Sequence, residues 1–553
     1  MHISQSRRPA VLGIDIGTSS CRAVVIDLAD GDILAEGVSG YRSGSGGVIT
    51  APAMRGLARQ EPRDYRTALI AAVRACRPGA AEILAIGVDS TGSSVLPVDA
   101  RGRALVESDR FAANPNAQVW LWKDHTAQHE AAQLTAAAQR LAPQVLRANG
   151  GSRYSPENIW AKVLHCEAAD PAVADAASSW LEVCDYVVGH VLVGIDNLDD
   201  MPRAMSAAAH KGLYGGPASV EPVGTVLASL SGRVAAQWRA AYRAPRQLTD
   251  IAGGLHPDIA AATGLDAGLP VAVGNLDAHS AALGAGIDMR TMAKVMGTSG
   301  SDLILLPSHD GDGIPKIAGA CGAGRDSIVP GAVGIEFGMP AIGDAFAWAA
   351  GVFAGAGPAD LSALAAAAEA VPSGSRGVTA LDWLNGNRST LQAPGLSGVL
   401  AGITLQTTPA EIFRALVESI AMSSRRIWEH ARAAAPTLDA VAVTGGIPHR
   451  APFVAQMLAD VLQRDVQVTS SEHGSAVGAA IAAAVAAGYY SDVAEAQARL
   501  VRFRPVPHRP RAELGKRYDD LYGLWTELHD LMSAPTNGQP PVLERLHPAS
   551  AGT

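Results

Sequence analysis

Val11-Leu12-Gly13-Ile14-Asp15-Ile16-Gly17-Thr18-Ser19-Ser20, followed after Arg22 by Ala23-Val24-Val25-Ile26-Asp27, decides how the rest of the chain is read. Two apolar runs joined by Gly and small hydroxyl residues form the pattern of a β-hairpin. Glycine lets the backbone approach a ligand closely. Exposed N–H groups and hydroxyls at such a turn can hold phosphate oxygens. Asp15 could hold Mg²⁺, directly or through water. On general grounds, an ordinary hairpin with a Gly-Thr turn accounts for this stretch equally well.

The same device returns in the second half. Lys294-Val295-Met296-Gly297-Thr298-Ser299-Gly300-Ser301 leads into Asp302-Leu303-Ile304-Leu305-Leu306, again strand, Gly-Thr-Ser, strand. One copy in each half suggests two related domains facing each other, with two turns able to grip a nucleotide. The period is far too long for a solenoid. No G-x-x-x-x-G-K-[ST] sequence is present, which argues against a P-loop kinase, and no G-x-G-x-x-G follows the first strand.

A length of 553 residues favours several domains. A hydrophobic fraction of 48% with 18% charged residues is globular composition, and much of the apolar content is Ala, which favours helices. The net charge of −9 and the absence of a basic stripe give no reason to expect nucleic-acid binding. Cys21, Cys76, Cys166, Cys184 and Cys321 are scattered without a C-x-x-C, as expected of inert thiols in a reducing compartment. No signal-peptide stretch and no run of transmembrane length is seen, so a cytoplasmic location without membrane contact is expected.

Further along, Ile33 to Tyr41 reads as a strand and Glu61-Pro62-Arg63-Asp64 opens a helix toward Cys76. Ile83–Asp89 is a buried strand ending in the small-residue loop Ser90-Thr91-Gly92-Ser93-Ser94, the edge where α/β sheets collect ligands. Trp120-Leu121-Trp122-Lys123-Asp124-His125 precedes a helix through about Arg140, and His125 and His129 are spaced i, i+4, but without the Glu of a zinc-protease motif between them, so a solvated or hydrogen-bonded helix face is the better reading. Helices are expected over Pro156–Glu167 and Asp175–Leu192. The Gly-, Pro- and Asp-rich stretch Leu248 to Pro270 is read as a junction near residue 265. This gives units 1–265 and 266–530, with a disordered Pro- and Ser-rich tail over 531–553. In the second unit, Gly331–Gly338 is a Gly-spaced strand carrying Glu336. Helices are expected over Ala341–Ala350, Asp360–Ala370 and Pro409–Ala435. Val441–Thr444 ends in Gly445-Gly446, and Gly474-Ser475-Ala476-Val477-Gly478 opens an Ala-rich helix suited equally to a flat ligand or to tight helix packing.

Taken together, the blocks GIDIGTSSCRAVVID (13–27), GVDSTGSSVLPVD (87–99), NPNAQVWLWKDHT (114–126), SWLEVCDYV (179–187), GNLDAHSAALGAG (274–286), KVMGTSGSDLIL (294–305), PGAVGIEFGMPAIGDAFAW (330–348) and TGGIPHRAPFVAQMLADVL (444–462) resemble the FGGY-type carbohydrate kinases, most closely their ribulokinase branch. The resemblance runs from Gly13 to about Tyr522. The first block suits actin-like ATPases generally, whereas 114–126 and 334–348 are more specific. Gly300-Ser301 and Phe337, Met339-Pro340 depart from the family pattern.

The resemblance implies an α/β, actin/hexokinase-like (ribonuclease H-like) two-domain fold with mixed sheets closing over a central cleft. It implies transfer of the γ-phosphoryl of ATP, with Mg²⁺, to a sugar hydroxyl: for ribulokinases, the 5-hydroxyl of L-ribulose in L-arabinose degradation. By the same matching, Asp277 is the catalytic base. Gly92, Lys211, Asp277 and Glu336 contact the sugar. Gly17, Thr18, Ser19, Gly297, Thr298, Gly445, Gly446 and Ser475 surround the nucleotide, and Asp15 serves the metal. Asp277 follows a strand and a Gly at the start of a helix, whose positive end should favour the ionised carboxylate. Taken without the resemblance, Asp277 reads as a helix cap and Lys211 as a solvated lysine. Glu336 is harder to dismiss, because an unpaired carboxylate in an apolar strand is costly. A kinase for D-ribulose or ribitol, or a non-catalytic sugar or nucleotide sensor, remains an alternative, and a homodimer is left open.

Overall fold

The opening stretch forms the expected hairpin. Arg8–Ile16 and Ser20–Asp27 pair antiparallel, and the Gly17 N–H donates to Ser20 O at 3.0 Å to close the turn. The computed structural model describes residues 8–51, 54, 56–77, 81–149, 153–308, 314–354 and 360–546. The second hairpin also forms, from Thr291–Met296 and Gly300–Pro307.

Each hairpin heads a mixed sheet, and the two sheets share the same core plan. In the first sheet the order is Ile33–Gly40, Ser20–Asp27, Arg8–Ile16, Ala81–Ser90, Pro270–Ala272, Ile251–Gly254, with Asn275–Leu276 also pairing with Ala81–Ser90. In the second it is Gly322–Arg325, Ala332–Met339, Gly300–Pro307, Thr291–Met296, Ala440–Thr444, Val466–Val468. In both, the hairpin's first strand lies between an antiparallel neighbour and a parallel one. The parallel strands therefore end on one side, and Asp15, Asp89 and Asn275 come into register there.

Two helices fill the space between the sheets, Asp277–Gly284 and Gly474–Ala486. They share one apolar cluster with both sheets, including Val11 and Ala85 from the first, Ala293 and Leu303 from the second, and Ala282, Leu283, Ala476 and Ala480 from the helices. The contact is backbone-close. A Cβ on Gly13 would stand 1.9 Å from Ala476 O, and one on Gly478 would stand 1.7 Å from Ser280 O. The Gly- and Ala-rich start of the second helix thus serves tight packing, and its first residues also reach the cleft described below.

A four-stranded sheet, Arg59–Gln60, Val119–Trp120, Val95–Val98 and Ser179–Glu182, extends the first half. The Arg59 guanidinium lies over Trp120 and pairs with buried Asp124. Here the expected helix Asp175–Leu192 is wrong. Ser179–Glu182 is a strand paired with Val95–Val98, and helical turns resume only at Val183. All four of its residues are buried, so no polar face remains to reveal the strand in the sequence. The helix expected from Pro156 starts at Ile159, and that through Arg140 spans Gln128–Leu141, leaving His125 outside it and off the face of His129.

The first sheet takes strands from beyond residue 265, and the second begins at Thr291. The tail is not featureless. Helix Gly515–Ser533 continues past residue 531, and Val542–Leu546 is helical with Leu543 buried in the second core. One apolar anchor suffices where Pro and Ser composition pointed to disorder. Residues 547–553 lie outside those described. The five cysteines are free, and four are buried. No described helix is long and apolar enough to cross a membrane.

Candidate active site

A cavity of about 880 Å³ opens between the two halves, within the size range of small-molecule sites. Every residue singled out from the sequence lines it: Asp15, Gly17, Thr18, Ser19, Gly92, Lys211, Asp277, Gly297, Thr298, Glu336, Gly445, Gly446 and Ser475. They come from segments spread over more than four hundred positions, and the fold gathers them in one place.

The two Gly-Thr-Ser turns face this space with their backbones held from behind. Tyr41 Oη donates to Gly17 O at 3.0 Å, and Trp122 Nε1 donates to Thr18 Oγ1 at 3.1 Å. At the second turn, Ile342 N and Asp344 N donate to Thr298 O, and Gly343 N donates to Gly297 O at 3.1 Å. Gly445 has φ +107, and a Cβ there would stand 2.4 Å from Met296 O, so only Gly allows the strand Ala440–Thr444 to turn beside the hairpin. Beneath the hairpin, Lys294 and Asp302 form a fully buried ion pair, Nζ to Oδ2 at 3.0 Å.

Three carboxylates cluster at the centre. Asp15 is buried and ion-paired with Arg22 at 2.7 Å. Asp89 lies behind it, fully buried, and neither of its oxygens makes a hydrogen bond. Burial, then Asp15 and Asp277, push the Asp89 carboxyl well above its usual range. Asp277 is the first residue of its helix and accepts from Ala278 N at 2.7 Å. The helix end favours the ionised Asp277, as expected, through that N–H. Burial, and after it the charge of Asp15, outweigh that N–H and push the carboxyl up to about 7. Such a group is poised to exchange a proton near neutral pH.

Across the cavity, Lys211 Nζ donates to Glu336 Oε2 at 3.1 Å, so Lys211 is a half-buried ion-pair partner rather than a solvated lysine. Burial pushes the Glu336 carboxyl up, but Lys211 and then His210 overcome it and hold the group well below its usual range. Ser301 Oγ donates to Glu336 Oε1 at 3.3 Å. Ser301, where the sequence departs from the family pattern, is thus part of the site. The Gly92 loop is pinned from below: Lys162 Nζ donates to Ser93 O at 2.7 Å, Ser93 Oγ donates to Glu182, and Thr91 and Ser94 hydroxyls bond at 2.8 Å.

Several contributors went unread in the sequence. Glu157 of the first half meets Arg388 of the second at 2.9 Å and His125 at 3.0 Å; burial raises its carboxyl, but Arg388 and then His125 pull it down to about 2. Arg388 also lies over Trp122. The partners are 231 positions apart, so no local pattern marks them. Asp89 did carry a signal, as a carboxylate closing an apolar strand.

Residues 292–487 match the FGGY family of carbohydrate kinases, C-terminal domain. The chain is 33% identical to a ribulokinase of Shouchella clausii, covering 98% of each chain, and 33% identical to a ribulokinase of Mycolicibacterium smegmatis over 94% of this chain and 93% of that one. Its fold is similar to that of a xylulose kinase from Rhodospirillum rubrum (TM-score 0.73, 24% identity, 94% of this chain and 98% of that chain). It is also similar to that of Plasmodium falciparum glycerol kinase with ADP (TM-score 0.72, 15% identity, 95% and 98%).

Proposed function

The chain belongs to the FGGY family of carbohydrate kinases, and from that premise we propose that it transfers the γ-phosphoryl group of ATP to the 5-hydroxyl of L-ribulose, with Asp277 as general base. The observation that carries this reading is the half-buried Asp277, beside Asp15 and opposite the Lys211–Glu336 pair, in a cavity that both Gly-Thr-Ser turns also face. A sugar hydroxyl becomes nucleophilic as its proton is accepted, and phosphoryl transfer then needs in-line positioning and neutralised phosphate charge. Asp277 takes the hydroxyl proton. Lys211 donates to sugar oxygens and Glu336 accepts from sugar hydroxyls, with Gly92 against the ring or chain. The backbones at Gly17–Ser19, Gly297 and Thr298 hold phosphate oxygens, while Gly445, Gly446 and Ser475 border the nucleoside.

The donor set also fits a hard divalent cation. Asp15, ion-paired with Arg22, with Asp89 behind it and Asp277 beside it, gathers three carboxyl groups at one point. Asp15 would hold Mg²⁺, which when bound neutralises phosphate charge.

The test is sugar-dependent ADP release with Mg-ATP over L-ribulose, D-ribulose, ribitol, D-xylulose and glycerol. The highest kcat/KM is expected for L-ribulose. A higher value for another polyol would overturn the substrate and leave the phosphoryl transfer standing.

A further inference from the structure

Behind Glu336, on the side away from the cavity, two buried histidines meet one serine. His210 comes from the first half, His279 from the helix between the sheets, and Ser327 and Glu336 from the second half. Neither imidazole lines the cavity. The rings meet edge to face at 4.4 Å. His279 Nδ1 lies 3.0 Å from Ser327 O. A carbonyl only accepts, so Nδ1 of His279 carries the proton and fixes that ring. His210 Nε2 lies 2.8 Å from Ser327 Oγ, and His210 Nδ1, which makes no hydrogen bond, faces Glu336 Oε2 at 3.5 Å, a charge–dipole contact. The strand Gly322–Arg325 makes room: a Cβ on Gly322 would stand 2.7 Å from His210 Nδ1.

The hydroxyl of Ser327 has one proton and two neighbours at 2.8 Å, Gly324 O and His210 Nε2. If it bonds Gly324, Nε2 must carry the His210 proton, and the Nδ1 lone pair then faces a carboxylate. If it bonds Nε2, the proton of a neutral His210 sits on Nδ1 and faces Glu336. Burial keeps His210 below its usual value, toward the neutral form. Electrostatics therefore select the second arrangement. We propose that His210, with its tautomer set by the Ser327 hydroxyl, is a positioning residue that aims Glu336 at the sugar. The proposal rests on the reading of Glu336 as a sugar ligand. His210, His279 and Glu336 are also close enough together to suggest a divalent-cation site. The Lys211 ammonium on the same Glu336 oxygen already supplies the positive charge, which favours positioning over metal binding.

The test compares Ser327→Ala, His210→Gln and His210→Asn in the full chain, with Glu336→Gln as reference. Asn places an amide N–H near Nδ1; Gln places its amide near Nε2 instead. Ser327→Ala and His210→Gln are expected to raise the sugar KM about threefold, less than the loss of a full hydrogen bond would give, with kcat and the ATP KM nearly unchanged. His210→Asn is expected to restore most of the sugar KM. Equal losses in Asn and Gln variants, spread over both substrates and accompanied by a lower Tm, would overturn the proposal. One equivalent of tightly held transition metal in the purified wild type, lost in His210→Asn, would also overturn it. If Glu336→Gln raises the sugar KM while the His210 and Ser327 variants do not, this inference alone fails. An unchanged KM in Glu336→Gln overturns the reading of Glu336 and this proposal with it.

Discussion

At Asp277 the chemistry and the stability of the protein pull in opposite directions. A carboxyl near 4 in the unfolded chain and at about 7 in the folded one binds its proton more tightly when folded. Its contribution to stability is therefore present at low pH and is lost as pH rises from about 4 through about 7. The base form that the reaction needs appears over that same interval. The kcat/KM for the sugar should accordingly rise with pH along a limb centred near 7 and then level off. Asp277→Asn lacks the charge, so its Tm should exceed that of the wild type at pH 8 and approach it at pH 4. Equal Tm differences at both pH values would show that Asp277 is not forced into a charge-hostile setting. This balance was not visible in the sequence. The helix start after Asn275-Leu276 pointed to an ionised group, while the opposing charges come from Asp15 and Glu336, distant in the chain.

The two hairpins are the elements that the sequence declared most clearly, because apolar runs, Gly and hydroxyl residues repeat at the same offsets. Their support is less legible. Lys294 and Asp302 face each other across the second hairpin with no exposure, and each is the other's counter-charge. Asp302→Ala leaves a buried ammonium unpaired and should cost about 3–5 kcal/mol in chemical denaturation. A loss under 1 kcal/mol would mean that water reaches the pair. The helix Gly474–Ala486 fits its neighbours through glycines rather than side chains. Gly478→Ala should push the helix off Ser280 and cost at least 1–3 kcal/mol, on the overpacking scale, where an exposed Gly→Ala in a helix would stabilise. The strand Ser179–Glu182 shows the limit of such reading. Buried on both faces, it carries no period-two pattern, and the flanking Ala residues supply a false helical one.

Over the whole molecule, the two sheets share a core strand plan and the cavity lies between them, so the residues that line it come from both halves. Lys211–Glu336, Glu157–Arg388 and His210–Ser327 each cross from one half to the other. Closure of such a cleft on sugar and nucleotide would exclude the water that competes for the phosphoryl group. Small-angle scattering with L-ribulose and a non-hydrolysable ATP analogue should show a smaller radius of gyration than either ligand alone, and an unchanged radius would argue for a rigid cleft. The repeat and most candidate residues were readable because they lie in short motifs, whereas Lys211 sits in a stretch of irregular sequence and came only from the family resemblance. The cross-cleft pairs were not readable, because each joins residues more than a hundred positions apart. The measurement that tests the account most directly is ADP formation by Asp277→Asn at pH 8 with saturating L-ribulose and Mg-ATP, with binding of both substrates followed by calorimetry. A loss of about 10²–10⁴ in kcat with both substrates still bound is predicted for removal of a general base. A variant that keeps more than about a tenth of the wild-type rate, against that same scale, would contradict the assignment of Asp277 as the base.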